Sequence, residues 1–256
     1  MALDFQTRPS LIAYVTCGDP NIRTTRDIVL AALASGADAV ELGVPFSDPL
    51  ADGTVIQRAS ERALKNGTTL QDVLQVAQQV RKESDKGLIV FSYLNPVLQF
   101  GLQRFCEAAA DAGVDGTLIT DLPVEEAGDY LRHMRKHDLN TVFLAAPTST
   151  EERLRRIAEA SRGFIYAVAR TGVTGAHDRV GVDARLLVQR LRRHTDLPIA
   201  VGFGISTPQQ VRAVGRFADA AVVGRAIVQA VERCARPRRA PAAVAKLVAA
   251  LAARSR

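Results

Sequence analysis

Short β-branched and apolar runs alternate with longer stretches of helical period along the whole chain. The runs are LIAYVT (11–16), AVELGV (39–44), LIVFSYL (88–94), GTLITDL (116–122), TVFLAA (141–146), FIYAVA (164–169), PIAVGFG (198–204) and AAVVGR (220–225). Between them lie amphipathic segments such as TTRDIVLAALASG, TLQDVLQVAQQVRKESD, PVEEAGDYLRHMRKH, STEERLRRIAEASR and ARLLVQRLRRH. Eight strands separated by helices, with no break in composition, predict an α/β fold of the (β/α)8 TIM-barrel type as a single domain over 1–256. Its core is expected over about 10–232, followed by a basic linker and a C-terminal helix within 233–256. A doubly wound open sheet is the alternative, and the lack of GxGxxG after the first strand counts against it.

In such a barrel the chemistry lies at the C-terminal ends of the strands. ELGVPFSDPLADG (41–53) therefore attracts notice, because Glu41 stands inside an apolar strand where no helix cap explains it. The prolines, aspartates and glycines that follow predict a long ordered loop, returning Asp52 to the same mouth. Other candidates at strand ends are Thr16, Asp19, Asp48, Tyr93, Asn95 and Asp121. Asp19 before Pro20 is equally consistent with a simple turn, and Asp121 reads better as the N-cap of the acidic segment after it. Glycines in GFGIST, in VVGRAI and in TGVTG (171–175) fall at adjacent strand ends, where backbone amides can approach an anion. That set predicts a phosphate site.

Composition narrows the chemistry further. At 47% hydrophobic and 23% charged the chain is an ordinary globular protein, and no apolar run is long enough to span a membrane. The opening MALDFQTRPS has no basic-then-apolar leader pattern, and the three scattered cysteines form no CxxC pair, so a cytoplasmic location is expected. Much of the +6 net charge falls in RCARPRR (233–239) and the final RSR, without interleaved aromatics, which predicts a solvated tail and no nucleic-acid groove. The lysines at 65, 82, 86, 136 and 246 avoid the strand ends, so no Schiff-base nucleophile is expected. His133 and His137 on an outer helix, His177 in a loop and His194 at a helix end make no metal set. Paired-carboxylate acid/base chemistry on a phosphorylated substrate, without a cofactor, is what remains.

The segments YVTCGDP, ELGVPFSDPLADG, NPVLQFG, DLPVEE, RTGVTGA and GFGISTPQQV together resemble the tryptophan synthase α-subunit family over about residues 10–230. The resemblance implies retro-aldol cleavage of indole-3-glycerol phosphate to indole and glyceraldehyde 3-phosphate, a lyase step of tryptophan biosynthesis. It implies Glu41 as the acid/base for the glycerol hydroxyl and the indole C3 proton, and Asp52 as the partner of the indole N–H. The indole pocket would be Tyr14, Phe91, Tyr93, Leu118, Leu144, Tyr166 and Phe203. Thr174 would close a loop over the site, and Gly175, Gly204, Gly224 and Arg225 would meet the phosphate. It further implies a β-subunit partner that carries pyridoxal phosphate (PLP), in an α2β2 tetramer docked through the GDP, DPLADG and NPVLQFG loops.

The sequence departs from the family pattern at three places: Thr54 stands where Pro is usual, Arg225 where Ser is usual, and Asp219-Ala220 where Asp-Gly is usual. The Arg225 side chain is expected to point outward. The short N-terminus is expected to reduce the helix that closes the barrel floor. Two further readings arise from these departures: a stand-alone lyase releasing free indole for specialised metabolism, and a non-catalytic activator of a β subunit.

Overall fold

Strand alternation builds this protein's interior. A computed structural model describes residues 3, 5, 9–168, 177–202 and 204–253, with 177–181 by backbone alone. The strands are β1 (Ser10–Thr16), β2 (Ala39–Gly43), β3 (Gly87–Ser92), β4 (Gly116–Ile119), β5 (Asn140–Val142), β6 (Leu144–Ala145), β7 (Ile165–Val168), β8 (Ile199–Gly202) and β9 (Ala220–Val223). Every ladder is parallel, in the order β5-β4-β3-β2-β1-β9-β8-β7-β6. Only Phe143 separates β5 from β6, and its carbonyl accepts a hydrogen bond from Tyr166 N at 3.0 Å. The two are halves of one bent strand, so the ring closes as the expected (β/α)8 barrel.

Helices α1 (Ile22–Ala34), α2 (Thr54–Lys65), α3 (Leu70–Arg81), α4 (Leu94–Phe100), α5 (Leu102–Asp111), α6 (Gly128–Lys136), α7 (Glu151–Ala160), α8 (His177–Leu191), α9 (Pro208–Val214), α10 (Arg225–Glu232) and α11 (Ala240–Ala252) surround it. Two expectations need correction. NPVLQFG is not a loop, because Asn95 and Pro96 lie in the first turn of α4, where a missing N–H does no harm. His177 opens α8 instead of lying in a loop. The C-terminal helix begins at Ala240, directly after a 3-10 turn over Pro237–Arg239.

Period-2 alternation sends Leu11, Ala13, Val15, Val40, Leu42, Leu88 and Val90 outward under the helices. It sends Ile12, Tyr14, Ala39, Ile89, Phe91, Leu118, Val142, Tyr166, Ala200, Ala220 and Val222 inward. At the floor Leu3 and Phe5 are buried in the inner cluster, and Phe5 meets Phe164 edge-on at 5.5 Å. A short N-terminal segment thus fills the barrel's lower end with two side chains.

The floor also carries a repeated polar device. Asp38, Asp115 and Asp219 each stand just before a strand and accept from the neighbouring strand: Leu11 N, Leu88 N and Ile199 N, each at 2.8 Å. Arg81 pairs with Asp115 and Arg192 with Asp219. Asp219 keeps this role although Ala220 replaces the usual glycine, and Ala220 points into the core. Removing Asp115 leaves the Leu88 N–H without its acceptor and Arg81 without its carboxylate. Asp115→Ala is therefore expected to lower stability by about 2–3 kcal/mol in urea unfolding. A loss under about 1 kcal/mol would mean that the device contributes little.

Candidate active site

Glu41 is the third residue of β2 and faces inward, in register with Tyr14 on β1 and Ile89 on β3. Tyr14 meets Phe91 edge-on at 5.2 Å. Gly43, the next inward position, has no side chain because a Cβ there would lie 2.3 Å from the Tyr14 hydroxyl. Gly202 makes the same concession to Tyr166, whose hydroxyl would stand 1.9 Å from an added Cβ. Two inward tyrosines are thus accommodated by two glycines, and the carboxyl between them is enclosed. Glu41 is 1% exposed, and its Oε1 has no hydrogen-bond partner among the described residues. Burial alone raises its pKa to about 8, so the neutral acid is the resting form at pH 7.

Asp52 reaches the mouth from the ordered loop between β2 and α2. Tyr93, just beyond β3, donates from its hydroxyl to Asp52 Oδ2 at 3.2 Å and accepts from Ala51 N at 2.9 Å. Phe46 lies against the Tyr93 ring at 5.2 Å, and Gln57 Nε2 donates to the Asp52 carbonyl at 2.9 Å. Burial raises the Asp52 pKa to about 6, and the Tyr93 hydrogen bond opposes the rise. Burial raises both core tyrosines well above their usual range; Asp52 then Glu41 add to this at Tyr14, and Glu41 then Asp52 at Tyr166. The two carboxylates therefore act on one space.

That space is apolar. Tyr14, Phe91, Leu118, Leu144 and Tyr166 fall in the inner cluster, which Val55 and Ala59 of α2 and Val228 of α10 also join. Those three come from helices that the strand pattern does not place at the site. Tyr93 stands at the rim with Phe46 and Asp52. Phe203, Thr174 and Gly175 lie outside the described residues. Gly204 has φ +91° and, among the described residues, nothing within 4 Å of where a Cβ would point, and the atoms nearest a Cβ on Gly224 belong to Tyr14, from 3.4 Å. Thr54 and Arg225 are the first residues of α2 and α10, both exposed. Thr54 fills the first helical position that also suits proline.

Other strand-end candidates serve structure. Asp48 and Asn95 are exposed. Asp121 does not cap its own segment; its Oδ1 accepts from Leu94 N at 2.7 Å and so caps α4 across the barrel rim. Asp19 is buried beside Arg62, with Nε–Oδ1 at 2.9 Å and Nη2–Oδ2 at 2.8 Å, so it is more than a turn residue. His194 lies 3.0 Å from Glu151 on the outer helices.

A (β/α)8 barrel with a buried carboxyl, Glu41, and a second, Asp52, at its mouth has the arrangement of an acid/base enzyme of the TIM-barrel class. The family model described as tryptophan synthase alpha chain matches residues 1–255. The tryptophan synthase alpha chain of Solibacter usitatus is 53% identical over 228 residues, 89% of this chain and 85% of that one. That of Neisseria meningitidis serogroup B is 47% identical, covering 87% and 86%. Among solved structures, a Mycobacterium tuberculosis tryptophan synthase superposes with a TM-score of 0.88 at 36% identity, covering 96% of this chain and 91% of that one. The tryptophan synthase α2β2 complex of Pyrococcus furiosus gives a TM-score of 0.88 at 38% identity, covering 95% and 98%. The chain belongs to the tryptophan synthase alpha chain family.

Glu41 has a signature in stability. When the folded carboxyl keeps its proton and the unfolded one releases it, the unfolded state gains stability as pH rises from the ordinary carboxyl pKa towards about 8. Wild type should thus lose stability relative to Glu41→Gln across that window, by a few kcal/mol in all, and level off above it. Urea unfolding at several pH values measures the difference; a flat difference from pH 5 to 9 would mean that Glu41 titrates normally.

Proposed function

We propose that Glu41 and Asp52 carry out retro-aldol cleavage of indole-3-glycerol phosphate to indole and glyceraldehyde 3-phosphate. This is the lyase step of an α subunit in tryptophan biosynthesis. The observation that carries the assignment is a buried, inward-facing Glu41 carboxyl with Asp52 held at the same mouth by Tyr93; burial raises their pKa values to about 8 and about 6. At pH 7 one holds a proton and the other a charge.

Neutral Glu41 gives its proton to indole C3, and positive charge develops on the ring nitrogen. Anionic Asp52, accepting from the indole N–H, stabilises that charge in a water-poor pocket. Glu41, now a carboxylate, takes the proton from the hydroxyl on the glycerol carbon attached to C3. That carbon becomes the aldehyde, the C–C bond breaks, and its electron pair returns to the ring. Indole keeps the proton at C3, and Glu41 ends protonated as it began.

Tyr14, Phe91, Leu118, Leu144, Tyr166 and Phe203 would hold the ring, with Tyr93 orienting Asp52. Gly175, Gly204 and Gly224 would present amides to the phosphate, and Thr174 would close over the site. The exposed Arg225 leaves the phosphate to the backbone. A β subunit with PLP would consume the indole, docking where Leu50 and Leu98 are 85% and 54% exposed at the mouth. Thr54 and Arg225, which motivate the stand-alone and non-catalytic readings, begin helices with side chains turned to solvent, which supports the subunit reading.

Steady-state cleavage with and without a β subunit tests this reading. The expected result is a slow chain alone, a faster one in complex, and losses of about 10²–10⁴-fold in Glu41→Gln and Asp52→Asn. A fast isolated chain that ignores the β subunit would favour the stand-alone lyase, and no cleavage under either condition would favour the activator.

The pH profile of kcat/KM should rise through about 6 as Asp52 ionises and fall through about 8 as Glu41 loses its proton. Tyr93→Phe removes the hydrogen bond that favours the Asp52 anion, so the acid limb should move to higher pH. An unmoved acid limb would detach Asp52 from that limb.

A further inference from the structure

Arg62 is the meeting point of three segments that the barrel strands do not join. On α2 its guanidinium grips buried Asp19 through Nε and Nη2, at 2.9 and 2.8 Å, and reaches Glu232 of α10 through Nη1 at 3.0 Å. Arg58, one turn earlier on the same helix face, adds a two-point contact to Glu232, Nε–Oε1 and Nη2–Oε2 both at 2.9 Å. Asn66, one turn after Arg62, donates from Nδ2 to Gly18 O at 3.1 Å and Pro20 O at 2.7 Å. Helix α2 is thus fastened to the loop after β1 on one side and to the far end of α10 on the other.

The two helices begin at different parts of the site. The residues just before α2 are Asp52 and Gly53, and the residue just before α10 is Gly224. Packing alone holds α10 against the end of β1, where Ile227, Val228 and Val231 are buried beside Val15 and Thr16. Apolar contact of this kind is non-directional, so it fixes distance better than rotation or tilt. Charge-assisted, two-point contacts supply the missing direction. Glu232 is the last residue of α10 and Gly224 its N-cap. At about 1.5 Å rise per residue the anchor and the amides stand roughly 12 Å apart, so a small tilt at one end displaces the other.

We infer that Arg62, with Arg58, Asp19 and Glu232, is a positioning cluster that locks the phosphate end of the site to the Asp52 end. This rests on the phosphate site proposed above. The side chains touch no reacting atom; they act through the helices they join. Arg58 first, and Arg62 with it, hold the Glu232 carboxyl down to about 2, so the anchor is ionised throughout the working pH range. Because the Glu232 and Arg58 side chains are 26% and 49% exposed, water screens the pair, and its loss should unfasten α10 without unfolding the barrel.

The test compares wild type with Glu232→Gln, using calorimetric binding of glycerol 3-phosphate as a probe of the phosphate end and steady-state cleavage as the assay. The inference expects affinity for glycerol 3-phosphate to fall about 3–10-fold, KM for indole-3-glycerol phosphate to rise by the same factor, and kcat to stay within about twofold. The thermal midpoint should stay within about 2 °C of wild type. A combined Arg58→Met, Arg62→Met variant should weaken the probe at least as much, and adding Glu232→Gln to it should bring no further loss. Unchanged probe affinity and KM in Glu232→Gln, or a loss confined to kcat, would overturn the inference while leaving the proposed function standing. Failure of wild type itself to bind glycerol 3-phosphate would overturn the phosphate site and, with it, this inference.

Discussion

A carboxyl group enclosed in an apolar barrel, with one oxygen lacking a partner among the described residues, is the constraint from which the rest of the site follows. Glu41 is enclosed because β2 alternates and its inward positions face the centre. Ionising it there would cost far more than in water, so the group keeps its proton and remains compatible with the fold. Its neighbours fit that requirement. Tyr14, Phe91 and Tyr166 fill the surrounding volume, and glycines at 43 and 202 give up their side chains to admit the tyrosine rings.

Asp52 differs because it stands on a loop at the mouth and has a donor. The Tyr93 hydroxyl favours its anion, whereas burial acts on Glu41 and disfavours a charge there. Two carboxyls with different environments therefore hold different charges at one pH, which is what a proton shuttle beside a charge stabiliser requires. The opposite end of the barrel uses acids differently. Asp38, Asp115 and Asp219 are bound to strand amides, two of them also to arginines, and they secure the floor instead of reacting. Acids at the floor thus secure strands, whereas the pair proposed for the chemistry stands at the other end of the barrel.

Much of this was legible in the sequence because strands buried on both sides announce themselves as apolar runs, and a charge inside such a run stands out. Glu41 and the barrel class come from that signal, and the aromatic set from the resemblance carried by the motifs. What escaped was set by contacts between distant segments. Asp121 looks like a cap for its own acidic turn, yet it caps α4, which only the strand order places beside it. Asp19 looks like a turn residue until α2 brings Arg62 to it. The pairing of Arg58 and Arg62 with Glu232 spans about two thirds of the chain, beyond any periodicity. NPVLQFG, expected as a loop at the mouth, lies in α4, whose first turn tolerates the proline. Val55, Ala59 and Val228 reach the inner cluster from helices, where strand alternation gives no hint of them.

The central claim is that burial in the barrel keeps Glu41 protonated at neutral pH. Infrared difference spectroscopy of wild type against Glu41→Gln, recorded across a pH titration, reads this directly through the carbonyl band of a protonated carboxylic acid. The account predicts that a band present only in wild type persists at pH 7 and disappears around a midpoint of about 8. Disappearance of that band near the ordinary glutamate value of about 4.3 would contradict it, because Glu41 would then be an ordinary carboxylate and the proton donor would have to be sought elsewhere.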